Sequence, residues 1–385
     1  MPEYMLQDKQ RTPPLDPVTH VLFGACMGRA GLNRKTALAT ATLAIAAEFP
    51  DVDVIWSWTS TNAFYAHHRG FTHTLFFAPL VALGSWSVVY ATHHWWSKHQ
   101  AAKVDPEVAA KKAAESAELP PELRPLPPQP VNWKLLYVYA LLGTLSHLLL
   151  DFTTAYGTRP FEPINMRWYS WDIVAIIEPW LLIAMFAALV LPWFFALISS
   201  EVGSKRKKRF HGQGAAITAL AFVVMFWWFC DLQHRRTIAI LNNQLYPGGA
   251  VARTQAFPYP MNPFLWYGVV ETDSAFITSR VNTYKGKLDD SLEPIVRYKP
   301  EETDITRAAK GSALGRVYMD WARFPFTETH STDQPGGGWS VKIYDLRYRS
   351  PENRSNGLSV TIRLDGKMNV VEQRAALRNE NDEKY

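Results

Sequence analysis

Between Leu141 and Pro163 the chain reads LLGTLSHLLLDFTTAYGTRPFEP. The run is apolar up to Leu150, yet it carries His147 and Asp151 four residues apart, a spacing that stacks both side chains on one face of a helix. Three other short stretches supply the same kind of chemistry. VTHV carries His20, EFPDVD carries Glu48, Asp51 and Asp53, and HHRGFTH carries His67, His68, Arg69 and His73. Imidazoles and carboxylates without cysteine suit zinc, manganese or iron in a hydrolytic or oxidative site. A charged side chain at membrane depth costs roughly 2.5–3.5 kcal/mol on insertion scales unless it is paired or coordinated, so the set calls for a partner.

The elements that must position these residues are helices in a membrane. Four segments are long and apolar enough to cross a bilayer, which takes roughly 20 residues: about 72–96, 133–152, 177–199 and 214–231. Two shorter apolar stretches, 18–30 and 36–49, are rich in Ala, Gly and Thr and read as a helical hairpin buried among the spans, with GLNRK as its turn and Asn33 as a cap. After Asp231 the pattern changes to alternating, β-prone runs at 265–272, 275–286, 339–349 and 358–373, with LDGK at 364–367 as a hairpin turn and one short helix near 303–322. The expected fold is therefore an all-α polytopic membrane domain over 1–231, with about four long spans plus the hairpin. A soluble α+β domain over 232–385, mainly antiparallel β, follows it.

Composition agrees with that division. Of 385 residues 48% are hydrophobic, bunched into the long runs, and 15 Trp, 16 Tyr and 20 Phe suit interfacial belts. A net charge of +5 is too mild to imply nucleic acid, and none is expected as a partner. Cys26 and Cys230 each lie in an apolar segment and form no metal-binding motif. Residues 1–17 are polar and lack the apolar core of a signal peptide. The linker 97–132 pairs an alanine-rich, helix-prone part with a proline-rich part that cannot be helical. It carries Lys98, Lys103, Lys111, Lys112 and Arg124, and KRKKR occupies 205–209. The segment 153–176 has only Arg159 and Arg167. Positive charge thus places 97–132 and 200–212 in the cytoplasm, and 153–176 with the C-terminal domain outside. On that topology His20, Asp51, Asp53, His73, His147 and Asp151 fall near one depth on the outer side.

Five motifs together resemble a known family: DPVTHVLFGACMG, FPDVDVIW, HRGFTHTLFF, LGTLSHLLLDFTTAYGTRPFEP and WYSWDIVAIIEP. In this order over residues 16–200 they look like the LexA-regulated, membrane-bound metal-dependent hydrolases. The resemblance implies a bacterial inner-membrane protein whose helical core is similar to zinc-dependent phospholipase C. In such enzymes an early His, an Asp, a later His and a HxxxD helix build a zinc cluster that cleaves phosphodiesters. Those places fall here on His20, Asp53 or Asp51, His68, and the His147/Asp151 pair. The chain departs from the pattern in having no second HxxxD, and it carries Glu178 before Pro179 where the family often has Asp.

These readings converge on a membrane-bound metal-dependent hydrolase acting on a phosphoester, with a lipid or lipid-linked phosphate as the substrate class. A divalent metal, zinc ahead of manganese or iron, is expected on ligands drawn from His20, Asp53, His68, His73, His147 and Asp151. Asp51 or Glu178 would orient water or act as base, and Arg69 and Arg159 would offset phosphoryl charge. Asp172 is a further carboxylate in the same stretch as Glu178. Two other classes compete: a non-catalytic envelope protein whose cluster is a structural metal site or polar helix clamp, and a proton-coupled transporter. The transporter reading is opposed by charges gathered at one end of the spans and by the absence of an inverted repeat.

Overall fold

The computed structural model describes residues 17–103, 105–108, 111, 114–115, 129–201, 212–332, 337–349 and 358–376. The N-terminal stretch before Pro17, most of the linker and the basic run 205–209 lie outside them. The helical part consists of α1 (Pro17–Arg29), α2 (Ala39–Glu48), a 3-10 stretch Phe49–Trp58, α3 (Thr61–His67), a 3-10 turn Phe71–His73, α4 (Ala78–Ala101), α5 (Trp133–Thr153), α6 (Pro179–Glu201) and α7 (Gln213–Asn242).

Glycines let the first helices approach to backbone contact. A Cβ on Gly24 would lie 2.4 Å from the Leu43 carbonyl oxygen, one on Gly28 2.6 Å from Thr40 Cα, and one on Gly143 2.9 Å from the Leu43 oxygen. Gly24 and Gly28 sit four apart on one face of α1, the spacing of small residues at close-packed membrane helix interfaces. The result is a tight α1–α2–α5 unit around Ala39, Leu43 and Ala46. The connection between α1 and α2 departs from expectation at Asn33. That residue lies inside a 3-10 turn (Leu32–Arg34), and α2 begins from Leu38, whose φ of 65° places it in the left-handed region.

The four expected spans reduce to fewer. Among the described residues two helices are long and apolar enough to cross a membrane, Trp133–Thr153 and Gln213–Asn242, or three if the bent pair Asn62–His73 and Ala78–Ala101 is one span. The segment expected to run straight from Thr72 is broken. Thr74 is extended, Pro79 sits in the first turn of α4, and the two halves meet at 91°. In α6 (Pro179–Glu201) Pro192 interrupts the hydrogen bonding of the apolar run.

Helix α7 runs unbroken through Asp231 to Asn242 and carries the chain onto a five-stranded antiparallel sheet. That sheet comprises β1 (Val251–Tyr259), β2 (Asn262–Thr272), β3 (Ala275–Asn282), β4 (Lys287–Leu288) and β5 (Ile295–Tyr298). Gly268 in β2 leaves room for the Leu241 side chain, which a Cβ there would meet at 2.6 Å. One apolar core therefore continues from Val223 and Trp227 of α7 into Trp266 and Ile277 of the sheet. In place of the single helix expected near 303–322 there are two, α8 (Asp304–Lys310) and α9 (Ala313–Trp321). Thr303 caps the first and Ser312 restarts the second, and a Cβ on Gly315 would meet the Ala309 oxygen at 2.2 Å. The meander β6 (Pro325–Ser331), β7 (Gly338–Asp345), β8 (Ser359–Asp365) and β9 (Val370–Ala376) forms a second antiparallel sheet. Its core joins α8 and α9 to Phe64 and Tyr65 of α3. The residues LDGK fall at its last hairpin, where Met368 N–H donates to the Asp365 carbonyl at 2.9 Å.

The close approach at Gly24 is testable. Gly24→Val forces a β-branched side chain into the Leu43 backbone, and overpacking of this kind destabilises by about 1–3 kcal/mol or more. A lowered thermal midpoint in detergent is expected for Gly24→Val. Gly214→Ala is expected to keep the wild-type midpoint, because a Cβ on Gly214 meets nothing within 4 Å. Equal midpoints for the two variants would disprove the close packing.

Candidate metal centre

The residues come together where α2, the 3-10 stretch, the 71–73 turn and α5 meet. The periodicity of α5 stacks His147 and Asp151, both fully buried. Ala47, at the end of α2, accepts a hydrogen bond from His147 Nδ1–H at 2.6 Å. A carbonyl can only accept, so the proton sits on Nδ1 and the Nε2 lone pair faces the site. His73 Nδ1 lies 2.9 Å from Thr72 Oγ1 and 3.5 Å from Asp53 Oδ2, and a proton there likewise turns its Nε2 inward.

Four ligand atoms, one each from Asp51, His73, His147 and Asp151, then converge within 4.8 Å of one another. The two Nε2 atoms are 3.0 Å apart. His73 Nε2 is 3.2 Å from Asp51 Oδ1 and 3.4 Å from Asp151 Oδ2, and His147 Nε2 is 3.6 Å and 3.4 Å from the same oxygens. Ligands at 2.0–2.2 Å around a tetrahedral ion lie roughly 3.3–3.6 Å apart, so the spacing fits a divalent metal. Asp151 Oδ2 adds an independent observation, because it is buried and has no hydrogen-bond partner. The four residues form a buried group that could hold a divalent metal.

The other expected ligands sit one layer out. His20 stacks on His147 with ring centroids 4.0 Å apart, and its Nε2 is 3.5 Å from Asp151 Oδ1. Asp53 points away from Asp51. Its Oδ1 is 3.2 Å from His68 Nδ1, and its Oδ2 accepts from the Arg69 backbone N–H at 2.7 Å. His67 is exposed and lies against the Trp56 ring. Burial opposes ionisation of Asp51 and Asp53, and His147 and His73 around the first, with His68 and His73 around the second, outweigh it when no metal is bound and their rings carry protons toward the carboxyls. Both carboxyls are held below the ordinary carboxylate range.

Arg69 has φ 54°, a left-handed conformation unusual outside glycine, and it aims its guanidinium at the cluster. The side chain donates to Asp151 Oδ1 at 2.7 Å and to the Gly157 carbonyl at 3.0 Å, and it lies over the Tyr156 ring. Its Nε is buried without a partner. Sequence reasoning passed over Tyr156, which links the site to the C-terminal part. The Trp321 indole donates to the Tyr156 carbonyl at 3.2 Å, the two rings are 4.8 Å apart, and the buried Arg347 lies over Trp321 and donates to the Ala155 carbonyl at 2.7 Å. An aromatic at the position before a glycine in a loop gives no sequence signal for that role.

The remaining candidates have partners elsewhere. A backbone N–H from Trp180 approaches the Glu178 carboxyl at the start of α6, and burial pushes that carboxyl above its ordinary range. Arg159 pairs with Asp320 at 3.1 Å and lies over Trp168. Asp172 accepts from Arg323 at 2.8 Å.

Metal analysis of detergent-purified protein separates the inner four residues from the outer layer. Wild type is expected to carry about one equivalent of divalent metal, on the order of what a four-ligand site binds. His147→Ala/Asp151→Ala is expected to carry none while remaining inserted. His68→Ala is expected to keep its metal, and loss of metal there equal to that in the double variant would remove His68 from the outer layer.

The family model described as "YdjM inner membrane protein" matches residues 15–236. The chain is also similar to the uncharacterized protein YfhP of Bacillus subtilis (strain 168), 25% identical over 351 residues that cover 87% of this chain and 88% of that protein. No solved structure matches it. With its apolar helices and more than half of its length matched, the chain belongs to the YdjM inner membrane protein family.

Proposed function

We propose that this membrane protein is a metal-dependent hydrolase of phosphoesters. The observation that carries the reading is the convergence of four buried ligand atoms, one of them an Asp151 oxygen without a hydrogen-bond donor. The mixed imidazole and carboxylate set favours zinc, with manganese or iron as alternatives. A divalent ion held by Asp51, His73, His147 and Asp151 would supply Lewis acidity and bring the pKa of a bound water toward roughly 7. The protein's own groups do the rest. Asp51 lies at the rim of the cluster and lines a cavity, so it can orient a water there. Arg69 is fixed by Asp151, Gly157 and Tyr156 and sets a positive charge beside the cluster that can offset charge developing on a phosphoryl oxygen. His20 and His68 hold the ring and backbone positions around this core. The lysine and arginine count of the sequence is the support for placing the site, with the C-terminal domain that buttresses it, at the outer face of the membrane.

A second reading has a specific observation behind it. Four protein ligands already complete a tetrahedron, as structural sites do, and a proton between the two Nε2 atoms would clamp the helices in the same arrangement. The cavity against Asp51 favours the catalytic reading, because it brings solvent or substrate to one of the four ligands.

Hydrolysis of a p-nitrophenyl phosphodiester by the full-length protein in detergent tests the proposal. Activity is expected to vanish with a chelator and return with metal. Arg69→Ala is expected to keep its metal and lose roughly 10²–10³ in kcat/KM, the usual effect of removing one preorganised donor. A metal-loaded wild type inactive on phosphodiesters and phosphomonoesters, with a thermal midpoint that collapses on chelation, would replace the hydrolase with the structural site.

A further inference from the structure

A groove of about 430 Å³ opens beside the cluster between α1, α2 and the 3-10 stretch, within the roughly 300–1,000 Å³ usual for ligand sites. Its walls are apolar: Val21 of α1, Ala44 and Ile45 of α2, and Val52 of the 3-10 stretch. Its polar end is made by Glu48 and Asp51. Val21, Ile45 and Val52 are each more than a third exposed, so the walls present hydrocarbon to the surroundings of the helical bundle. The Phe49 ring adds a further apolar wall. Asp51 belongs both to this groove and to the four-residue cluster. An occupant that reaches the polar end of the groove therefore touches the candidate metal centre.

We infer that the groove holds one acyl chain of a membrane lipid, entering sideways between α1 and the 3-10 stretch, with the lipid's head turned toward the cluster at Asp51. A family that resides in the membrane, apolar walls and a carboxylate end shared with the cluster together specify an amphiphile: a tail for Val21, Ile45 and Val52, and a head for the site. A soluble phosphoester would leave those walls uncovered. The inference rests on the phosphoester reading and narrows its substrate to a lipid drawn from the bilayer. Glu48 and Asp51 at the polar end would repel a bare phosphate, so an anionic head would settle there only with a divalent ion held by Asp51 and its three partners offsetting its charge.

The experiment uses the full chain in nanodiscs containing phosphatidic acid with a diazirine in its acyl chain, with cross-linked positions mapped by peptide mass spectrometry. Cross-links are expected to concentrate on Val21, Ile45 and Val52 over the lipid-facing Val88 of α4. Ala44→Phe fills the groove and is expected to cut the yield at Val52 by roughly tenfold, the loss of about two buried methylenes of contact. Ile45→Trp, at an exposed wall, is expected to do the same if Ala44→Phe does not insert. Val88→Phe is expected to leave the groove yield unchanged. Cross-links spread evenly over α1, α2 and α4, or yields at Val52 unaltered by either groove variant, would overturn the assignment. Cross-linking needs no turnover. A protein that labels in the groove but hydrolyses nothing keeps the lipid site and loses the hydrolase, and an active protein labelled evenly loses the lipid site and keeps the hydrolase.

Discussion

Asp151 is a carboxylate with no access to water, and the structure around it is organised by the need to neutralise it. One oxygen is taken by the Arg69 guanidinium at 2.7 Å, and the other faces His73 and His147 with no hydrogen of its own. Removing one partner of a buried pair leaves a charge whose cost is about 3–5 kcal/mol, so each neighbour must be held in place. The demand passes outward. Arg69 is held by Gly157 and Tyr156, Tyr156 by Trp321, and Trp321 by Arg347, whose own charge is answered by Asp345 at 2.9 Å. The C-terminal part thereby supports, through Trp321 of α9 and Arg347, a site built in the helical bundle.

The same need explains the tight helix packing. Ala47 can accept from His147 only because α2 lies against α5 closely enough to bring a helix-end carbonyl into contact, and Gly143 with Ala46 and Leu43 provides that closeness. A larger residue at Gly143 would separate the helices and free the His147 ring to rotate. The glycine pair of α1 sets the other boundary, bringing His20 over His147 as a stacked lid. Packing and chemistry are therefore one problem here: small residues fix the helix spacing, and that spacing fixes the tautomer of an imidazole.

How far the sequence could be read follows from which parts keep a regular period. The His147/Asp151 pair was legible because α5 is a regular helix in which four residues make one turn. Asp51 and Asp53 could not be told apart, because they lie in a 3-10 stretch. There, residues two apart are turned about 240° from each other, so one faces the cluster and the other faces His68 and Arg69. His68 and His73 were equally ambiguous. Between them the left-handed Arg69 and the turn at Gly70 break any periodicity that could orient the rings. The span count was overread where hydropathy runs on through Thr74 and Pro79 while the backbone turns by 91°. The Tyr156–Trp321–Arg347 support joins residues more than 160 positions apart, and no local pattern encodes such a contact.

The position of Asp51 gives the catalytic reading its advantage over a structural one. In a closed structural site every ligand is enclosed by the fold, and His73, His147 and Asp151 meet that description. Asp51 differs, since one face of the residue belongs to the cluster and another to the groove between α1 and α2. A fold selected only to clamp helices gains nothing from leaving a carboxylate ligand at the edge of an apolar cavity, where its charge must be stabilised without full solvation. A fold selected to bring a phosphoester from the bilayer to an ion needs that geometry: an apolar approach, a ligand at its end and a fixed cation behind it. Arg69 supplies the last of these, in a strained backbone conformation that persists because Asp53, Asp151 and Gly157 hold it from three directions.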